Sequence, residues 1–173
     1  MAHTNNIIID NIKIDPDNPI FFQAADLILN DNKRKFDVMY LTGKAGTGKT
    51  VFLKYIVNQF KGNVVVLAPT GVAAINAQGQ TIHSFFRFQF TPYLPEDARL
   101  KKDQIYNHLG FTTEKRKLLS NMDLLIIDEV SMVRCDLLDA IDQVLRVFRH
   151  SPEPFGGVKV LMIGDVFQLP PVV

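Results

Sequence analysis

Eight consecutive residues have the types and the spacing of a loop that binds phosphate groups. The stretch Gly43–Thr50 matches the pattern G-x-x-x-x-G-K-S/T at every fixed position. Its glycines allow backbone N–H groups to wrap around phosphate oxygens. Lys49 can reach the β- and γ-phosphates of a nucleotide, and the Thr50 hydroxyl can bind Mg²⁺. The other predicted nucleotide contacts are Gly43, Ala45, Gly46, Thr47 and Gly48. The pattern therefore predicts a site for ATP and Mg²⁺.

Two adjacent carboxylates follow an apolar run later in the chain. Residues 124–127 are continuously apolar and lead directly into Asp128 and Glu129. An acid at the carboxyl end of a buried strand can hold Mg²⁺ directly or through water, and we assign that role to Asp128. The next acid is placed to orient and deprotonate a water, which makes Glu129 the candidate general base. The alternative is that both acids simply start a loop, and the phosphate-loop pattern upstream disfavours it.

Gln168 is the third candidate catalytic residue, beside Lys49 and Glu129. It lies in Gly-Asp-Val-Phe-Gln-Leu-Pro-Pro, which follows the apolar run 158–163. A glutamine at the end of a strand can hydrogen-bond a γ-phosphate or a water, and so report whether ATP is intact. The alternative is a polar turn residue ahead of a proline-rich exit.

Alternating strand and helix patterns must position these groups. Continuously apolar runs predict buried strands at 38–41, 64–68, 124–127 and 158–163. Helical spacing or capping residues predict helices after Asn18-Pro19, after the phosphate loop, at 72–77 and at 137–148. This alternation predicts an α/β fold with a mostly parallel sheet and helices on both faces. Because a strand precedes the phosphate loop and a helix follows it, a chance match to the motif is disfavoured.

Composition sets broad limits on the class of protein. The chain has 173 residues, of which 47% are hydrophobic and 21% charged, as expected for one globular domain. A net charge of +1 argues neither for nor against a nucleic-acid partner. The single cysteine, Cys135, excludes an internal disulfide and has no metal-binding or activating context. No apolar run has the length of a membrane span and no signal peptide is evident, so we expect a cytoplasmic location without membrane contact.

Five motifs in order resemble the first motor domain of the Pif-type 5′→3′ DNA helicases of superfamily one, akin to the RecD and Dda helicases. They are GKAGTGKT at 43–50, APTGVAA at 68–74, TIHSFF at 81–86, IIDEVSM at 126–132 and GDVFQLPPV at 164–172. Many ATPases share the first and fourth motifs, whereas the complete order is much more specific. The resemblance runs from about Asn18 to the C-terminus, and it implies a RecA-like P-loop NTPase fold.

The resemblance implies positions for several more residues. In the implied fold the strand ending at Gly164 lies between the phosphate-loop strand and the strand ending before Asp128, which would bring Gln168 to the γ-phosphate. The resemblance also implies that Gln23 reads adenine; an exposed helix glutamine is the alternative.

Single-stranded DNA is the implied partner. Thr70 and Gly71 could offer a hydroxyl and a backbone N–H to a DNA phosphate, and His83 could touch the DNA backbone. The alternatives are a plain strand-to-helix connection and a structural histidine. Alternating aromatics at 85, 86, 88 and 90 suit a strand with one buried face, which favours core packing over base stacking.

Three segments are expected. Residues 1–17 are an N-terminal arm, residues 18–173 are the ATPase domain, and a small wedge-like insertion lies around 88–117. The part at 91–117 is polar and charged, so we expect it to lie away from the core.

The family's second motor domain, with its arginine finger, is absent from these 173 residues. We therefore expect this chain to bind ATP, hydrolyse it slowly and fail to unwind duplex DNA, with no oligomer required. One alternative is another P-loop ATPase of the clamp-loader or transposition type, which the motif order disfavours. A nucleotide-dependent binding module with negligible hydrolysis remains open. A small-molecule kinase is disfavoured, since nothing here forms an acceptor pocket.

Overall fold

A five-stranded parallel sheet is the centre of the structure, a computed structural model that describes residues 8–9, 12–15, 18–30, 37–165 and 167–168. A separate antiparallel pair precedes it, formed by β1 (Ile8–Ile9) and β2 (Ile12–Lys13). The five strands of the sheet are β3 (Val38–Thr42), β4 (Val64–Ala68), β5 (Gln80–Thr81), β6 (Leu124–Ile127) and β7 (Lys159–Gly164). Their order is β3-β7-β6-β4-β5, so β7 lies between the phosphate-loop strand and β6, as expected.

Seven α-helices are described within these ranges. They are α1 (Pro19–Leu29), α2 (Lys49–Gln59), α3 (Gly71–Asn76), α4 (Ile82–Phe86), α5 (Ile105–Leu109), α6 (Thr113–Ser120) and α7 (Cys135–Arg149). The predicted start of α1 is confirmed, since the Asn18 side chain accepts a 3.0 Å hydrogen bond from the Phe21 amide. Across the part of the chain that the structure describes, no helix is long and apolar enough to cross a membrane.

Helices cover both faces of the sheet, as predicted. Leu161 of β7 packs in one cluster with Leu53 and Ile56 of α2. Its neighbour Val160 points the other way and packs in a second cluster with residues of α7, such as Ile141. Because successive side chains of a strand alternate between faces, this pair of neighbours requires an apolar layer on each side.

The prediction that 91–117 lies away from the core is wrong. Tyr93, Ile105, Leu109 and Phe111 are buried, and they belong to the same apolar cluster as α7. The polar residues that suggested an insertion lie mostly on the outer side of this segment. Its assignment as a wedge remains a prediction, as does the N-terminal arm, of which most residues lie outside the described ones.

The aromatic segment after β5 is a helix and not the predicted strand. The Thr81 hydroxyl accepts a 3.2 Å hydrogen bond from the Ser84 amide and so caps α4. Arg87 then ends the helix in a left-handed conformation, with φ of 57°. Of the four aromatics in this segment, Phe85, Phe86 and Phe88 are buried as predicted. Phe90 is 86% exposed, so the core prediction is wrong for that residue.

Candidate nucleotide-binding site

The phosphate loop connects the carboxyl end of β3 to the first turn of α2. Gly46 and Gly48 have φ of 79° and 89°, which favours glycine at both positions. At Gly43 a Cβ atom would lie 2.6 Å from the Thr47 hydroxyl oxygen, which is too close. That hydroxyl donates a 2.8 Å hydrogen bond to the Lys44 carbonyl and so closes the loop on itself. The loop is therefore a compact turn that places backbone N–H groups at a helix N-terminus.

The Lys49 side chain folds back over this loop. Its ammonium donates hydrogen bonds to the carbonyl oxygens of Gly43, at 2.6 Å, and of Lys44, at 3.0 Å. A lysine held over the turn offers a positive charge where the motif predicts phosphate oxygens.

Asp128 follows β6 and is buried, with 7% of its surface exposed. One carboxylate oxygen accepts a 3.0 Å hydrogen bond from the Glu129 amide. Burial raises the pKa of Asp128 above its usual range, and repulsion by Glu129 adds to this. The Glu129 amide and the Lys49 charge act in the opposite direction. A buried carboxylate of this kind gains most from a nearby cation, because a cation favours its charged form.

Glu129 has a left-handed backbone, with φ of 51° and ψ of 43°. This conformation is unfavourable for a residue with a side chain, by about 1–2 kcal/mol. It starts a 3-10 turn over Val130–Met132. Gly164, the last residue of β7, lies against this turn, where a Cβ atom would be 3.0 Å from a methyl carbon of Val130. The absence of a side chain at Gly164 thus lets the end of β7 approach the turn that carries Glu129.

One cavity of about 390 Å³ brings the predicted site residues together; we call it the nucleotide cavity. It is lined by Ala45, Gly46, Gly48, Lys49, Thr50, Val51, Asp128, Glu129 and Gln168. Gln168 reaches it through a turn in which its amide donates a 3.0 Å hydrogen bond to the Asp165 carbonyl. Gly43 and Thr47 belong to the same loop. Gln23 is exposed on α1 and is not among the lining residues.

Two further cavities form a series with the nucleotide cavity, in which each shares lining residues with the one before it. The first, of about 560 Å³, shares Thr50, Asp128, Glu129 and Gln168 with it and also includes Thr70 and Met132. The second, which we call the His83 cavity, has a volume of about 290 Å³ and contains Thr70, Met132 and His83. Thr70 and Met132 therefore stand between the two regions that the sequence predicts for nucleotide and for DNA.

The predicted DNA contacts lie at or beside the His83 cavity. The Thr70 hydroxyl accepts a 3.2 Å hydrogen bond from the Ala73 amide and caps α3, of which Gly71 is the exposed first residue. His83 is half-buried, and burial followed by the positive charge of Arg134 lowers its pKa. This shift favours the neutral imidazole at pH 7.

Sequence reasoning missed Met132 and Arg134 as residues of the His83 cavity, and it favoured the core over base stacking for Phe90, which also lines the cavity. Met132 and the turn before it belong to the IIDEVSM motif, but nothing in that motif indicated that its end faces a second cavity. Arg134 follows the same motif, and its position next to a histidine depends on how α4 and α7 pack.

A phosphate loop at the end of one strand of a parallel sheet, with a carboxylate at the end of another, defines the class. The chain has the α/β fold of the RecA-like P-loop NTPases. Within that class, the model of the PIF1-like helicases matches residues 6–173, and the chain belongs to this family.

Similar proteins include the ATP-dependent DNA helicase PIF1 of Saccharomyces cerevisiae, which is 37% identical over 139 residues. That match covers 78% of this chain and 15% of the yeast protein. A Psychrobacter Pif1 helicase is 36% identical over 137 residues, covering 78% of this chain and 20% of that protein. The chain therefore spans a fifth or less of these relatives.

Solved structures of Pif1 helicases are also similar to this chain. The crystal structure of Bacteroides Pif1 bound to single-stranded DNA matches with a TM-score of 0.78 and 48% identity, over 90% of this chain and 33% of that one. Bacteroides Pif1 in complex with ADP-AlF3 and single-stranded DNA matches equally well, with the same TM-score, identity and coverage. Pif1 helicase from Candida albicans has a TM-score of 0.69 and 31% identity, over 89% of this chain and 32% of that one.

Proposed function

We propose that this chain is the ATP-binding motor domain of an ATP-dependent DNA helicase. The observation that carries the proposal is the nucleotide cavity, in which the phosphate loop, Asp128, Glu129 and Gln168 converge. Similar proteins named as ATP-dependent DNA helicases, and one solved with ADP-AlF3 and single-stranded DNA, support it.

In this proposal the loop amides and Lys49 bind the β- and γ-phosphates of ATP. Thr50 and Asp128 hold Mg²⁺, which fits the residues present, since a hydroxyl and a buried carboxylate are the oxygen ligands this ion prefers. The bound ion supplies positive charge to the phosphate oxygens. Gln23 of α1 contacts the adenine base. The helix α1 packs on α2, which follows the phosphate loop, and the ring centroids of Phe21 and Phe52 are 5.1 Å apart.

Glu129 is the general base. It accepts a proton from a water whose oxygen attacks the γ-phosphorus, and the bond from that phosphorus to the bridging oxygen breaks to give ADP and phosphate. Gln168 positions the water or the γ-phosphate by hydrogen bonding. Lys49 stabilises the charge that develops on the phosphate oxygens.

Single-stranded DNA lies along the His83 cavity, with Thr70, Gly71 and His83 as contacts. Thr70 can still donate its hydroxyl hydrogen to a phosphate, because the capping bond uses only an acceptor site of that oxygen. The neutral His83 ring can contact sugar or base.

Calorimetric titration with Mg-ATP tests the nucleotide site. We expect Lys49→Ala to lower the affinity by roughly tenfold to a hundredfold, because a charge-assisted contact to phosphate is lost. The matched control is Lys61→Ala, which removes an exposed lysine beyond the other end of α2 and should bind like the wild type. Equal affinities of all three proteins would contradict the assignment of the loop.

Steady-state ATP hydrolysis with and without oligothymidylate tests the enzymatic part. We expect slow turnover that depends on Mg²⁺, whether or not single-stranded DNA is present. Tight Mg-ATP binding without turnover under either condition would favour a nucleotide-dependent binding module instead.

A further inference from the structure

One large apolar side chain beside the His83 cavity is exposed and yet held in place. Phe90 is 86% exposed. Its ring stacks on the His83 imidazole, with centroids 4.4 Å apart and planes 16° apart. One face of the Phe90 ring is thus covered by His83, and the high exposure places the opposite face in solvent. The exposed face of an aromatic ring is a surface on which another flat ring can stack.

The loop that carries Phe90 is fixed from both sides by one arginine. The Arg99 guanidinium donates hydrogen bonds to the Gln89 side chain, at 3.0 Å, and to the Thr91 hydroxyl, at 2.9 Å. These residues are the two neighbours of Phe90 in the chain. Arg99 is itself held by the Asp97 carboxylate through bonds of 2.9 and 2.6 Å. The position of the Phe90 ring is therefore set before any ligand arrives, which lowers the entropy lost on binding.

The neighbourhood of the exposed ring suits a nucleic acid strand. Phe90 lines the His83 cavity together with Thr70 and Arg134, so a hydroxyl and a guanidinium belong to the same cavity. Both can bind phosphate oxygens. Asp136 also lines the cavity and holds the Arg134 guanidinium in position. Because the lowered pKa of His83 favours its neutral form at pH 7, the two stacked rings favour contact with an uncharged flat ring.

We propose that Phe90 binds one base of a single strand by stacking on its exposed face, so that His83, Phe90 and the base form three layers. This inference rests on the proposed function, since it takes the His83 cavity as part of the DNA site. A base within a duplex has both faces covered by its neighbours, so the ring takes an unpaired base. Stacking uses the flat face that every base has, and Phe90 therefore binds without preference for sequence.

A fluorescent side chain at position 90 tests the stacking directly. The chain has no tryptophan, so Phe90→Trp introduces a single tryptophan, which can be excited separately from the four tyrosines. Its matched control is Leu94→Trp, at a position on the same loop that is 71% exposed and lines a different cavity. On titration with oligothymidylate we expect strong quenching in Phe90→Trp and little change in Leu94→Trp. Equal responses of the two variants, with DNA binding verified by anisotropy of a labelled strand, would overturn the proposal.

An affinity measurement tests the native side chain. We expect Phe90→Ala to bind oligothymidylate between about fivefold and a hundredfold more weakly than the wild type, the range found for loss of one stacked base. The dependence of affinity on salt should stay the same, because no phosphate contact is removed. The urea midpoint should also be unchanged, since the ring is exposed.

An abasic strand of the same length separates the two proposals. The wild type should prefer oligothymidylate to the abasic strand, and Phe90→Ala should lose that preference. If the wild type binds neither strand at any salt concentration, the proposed DNA site is wrong. If the wild type binds both strands and Phe90→Ala behaves in the same way, the DNA site stands and only the stacking role of Phe90 is wrong.

Discussion

The Asp136 carboxylate accepts a 2.8 Å hydrogen bond from the backbone amide of Tyr93. The same carboxylate accepts two bonds from the Arg134 guanidinium, at 2.9 and 2.7 Å. Burial acts to raise the pKa of Asp136, but the bonds from Arg134 and Tyr93 outweigh it and hold the pKa below its usual value. A single side chain at the start of α7 thus fixes both the loop that follows Phe90 and the arginine of the His83 cavity.

We therefore predict that Asp136→Ala destabilises the fold by about 2 kcal/mol, because hydrogen bonds to a charged group are lost and the Tyr93 amide loses its partner. The control is Asp139→Ala, one turn further along α7, where the aspartate is exposed and the change should be small. Urea unfolding of both variants measures the difference. Similar midpoints for the two variants would show that the Asp136 contacts add nothing to stability.

Substitutions of the two adjacent acids in the nucleotide cavity should affect nucleotide binding and hydrolysis differently. We predict that Glu129→Gln keeps Mg-ATP binding and lowers the rate of hydrolysis by about 10²–10⁴-fold, since the proposed base is lost and the metal ligand remains. Asp128→Asn should weaken nucleotide binding only when Mg²⁺ is present. Calorimetry with Mg²⁺ and with a chelator, together with hydrolysis rates, separates the two. Normal hydrolysis by Glu129→Gln would assign the base to another residue.

Two serines allow a comparison between a buried hydroxyl without a hydrogen-bond partner and one that has partners. Within the described ranges, Ser131 Oγ is the buried side-chain oxygen that lacks a hydrogen-bond partner. Ser120 Oγ lies 3.0 Å from the carbonyl oxygens of both Arg116 and Phe148. We predict that Ser131→Ala leaves the free energy of unfolding unchanged or raises it, whereas Ser120→Ala lowers it by about 1 kcal/mol. Urea unfolding decides between this order and the reverse.

Lys115 should make stability depend on pH. Its ammonium lies 2.9 Å from the centroid of the Phe85 ring. Burial, followed by the nearby charge of Arg87, lowers the pKa of Lys115 to about 8, although contact with an aromatic face favours the charged form. In the unfolded chain a lysine keeps its proton up to its usual pKa of 10.5. The folded state releases the proton first, so above about pH 8 the Lys115 contribution to stability rises with pH.

The variant Lys115→Met, which keeps the length of the side chain without its charge, tests this prediction. The free energy of unfolding of the wild type should rise relative to that of the variant between pH of about 7 and about 9.5. Parallel profiles of the two proteins over that range would mean that the Lys115 pKa is ordinary.

Local patterns predicted the parts of the fold that local chemistry controls. The strands β4 and β6 are continuous apolar runs, and such runs are typical of strands in a buried parallel sheet. The glycines at 46 and 48 have the positive φ angles that the motif requires. The resemblance also predicted β7 as a central strand, and with it the approach of Gln168 to the phosphate loop.

Tertiary packing decided the features that sequence patterns missed. The spacing of the aromatics after Thr81 fits a strand as well as a short helix that ends in a turn, so it could not show that Phe90 faces solvent. The polar content of 91–117 hid apolar positions such as Ile105, which are buried because they pack in the same cluster as residues of α7. The place of Arg134 beside His83 depends on two helices that are distant in sequence.

The order of strands in the sheet also has a consequence for how the protein is made. Val38 of β3 pairs with Val160 of β7, and Thr42, just before the phosphate loop, pairs with Gly164. During synthesis β3 leaves the ribosome long before β7 exists, and pairing between segments so far apart forms slowly because a large loop must close. A nascent chain that has not yet reached Lys159 therefore carries the complete nucleotide motif without the strand that supports it. The phosphate loop is thus translated early, but the nucleotide cavity to which it belongs is completed late.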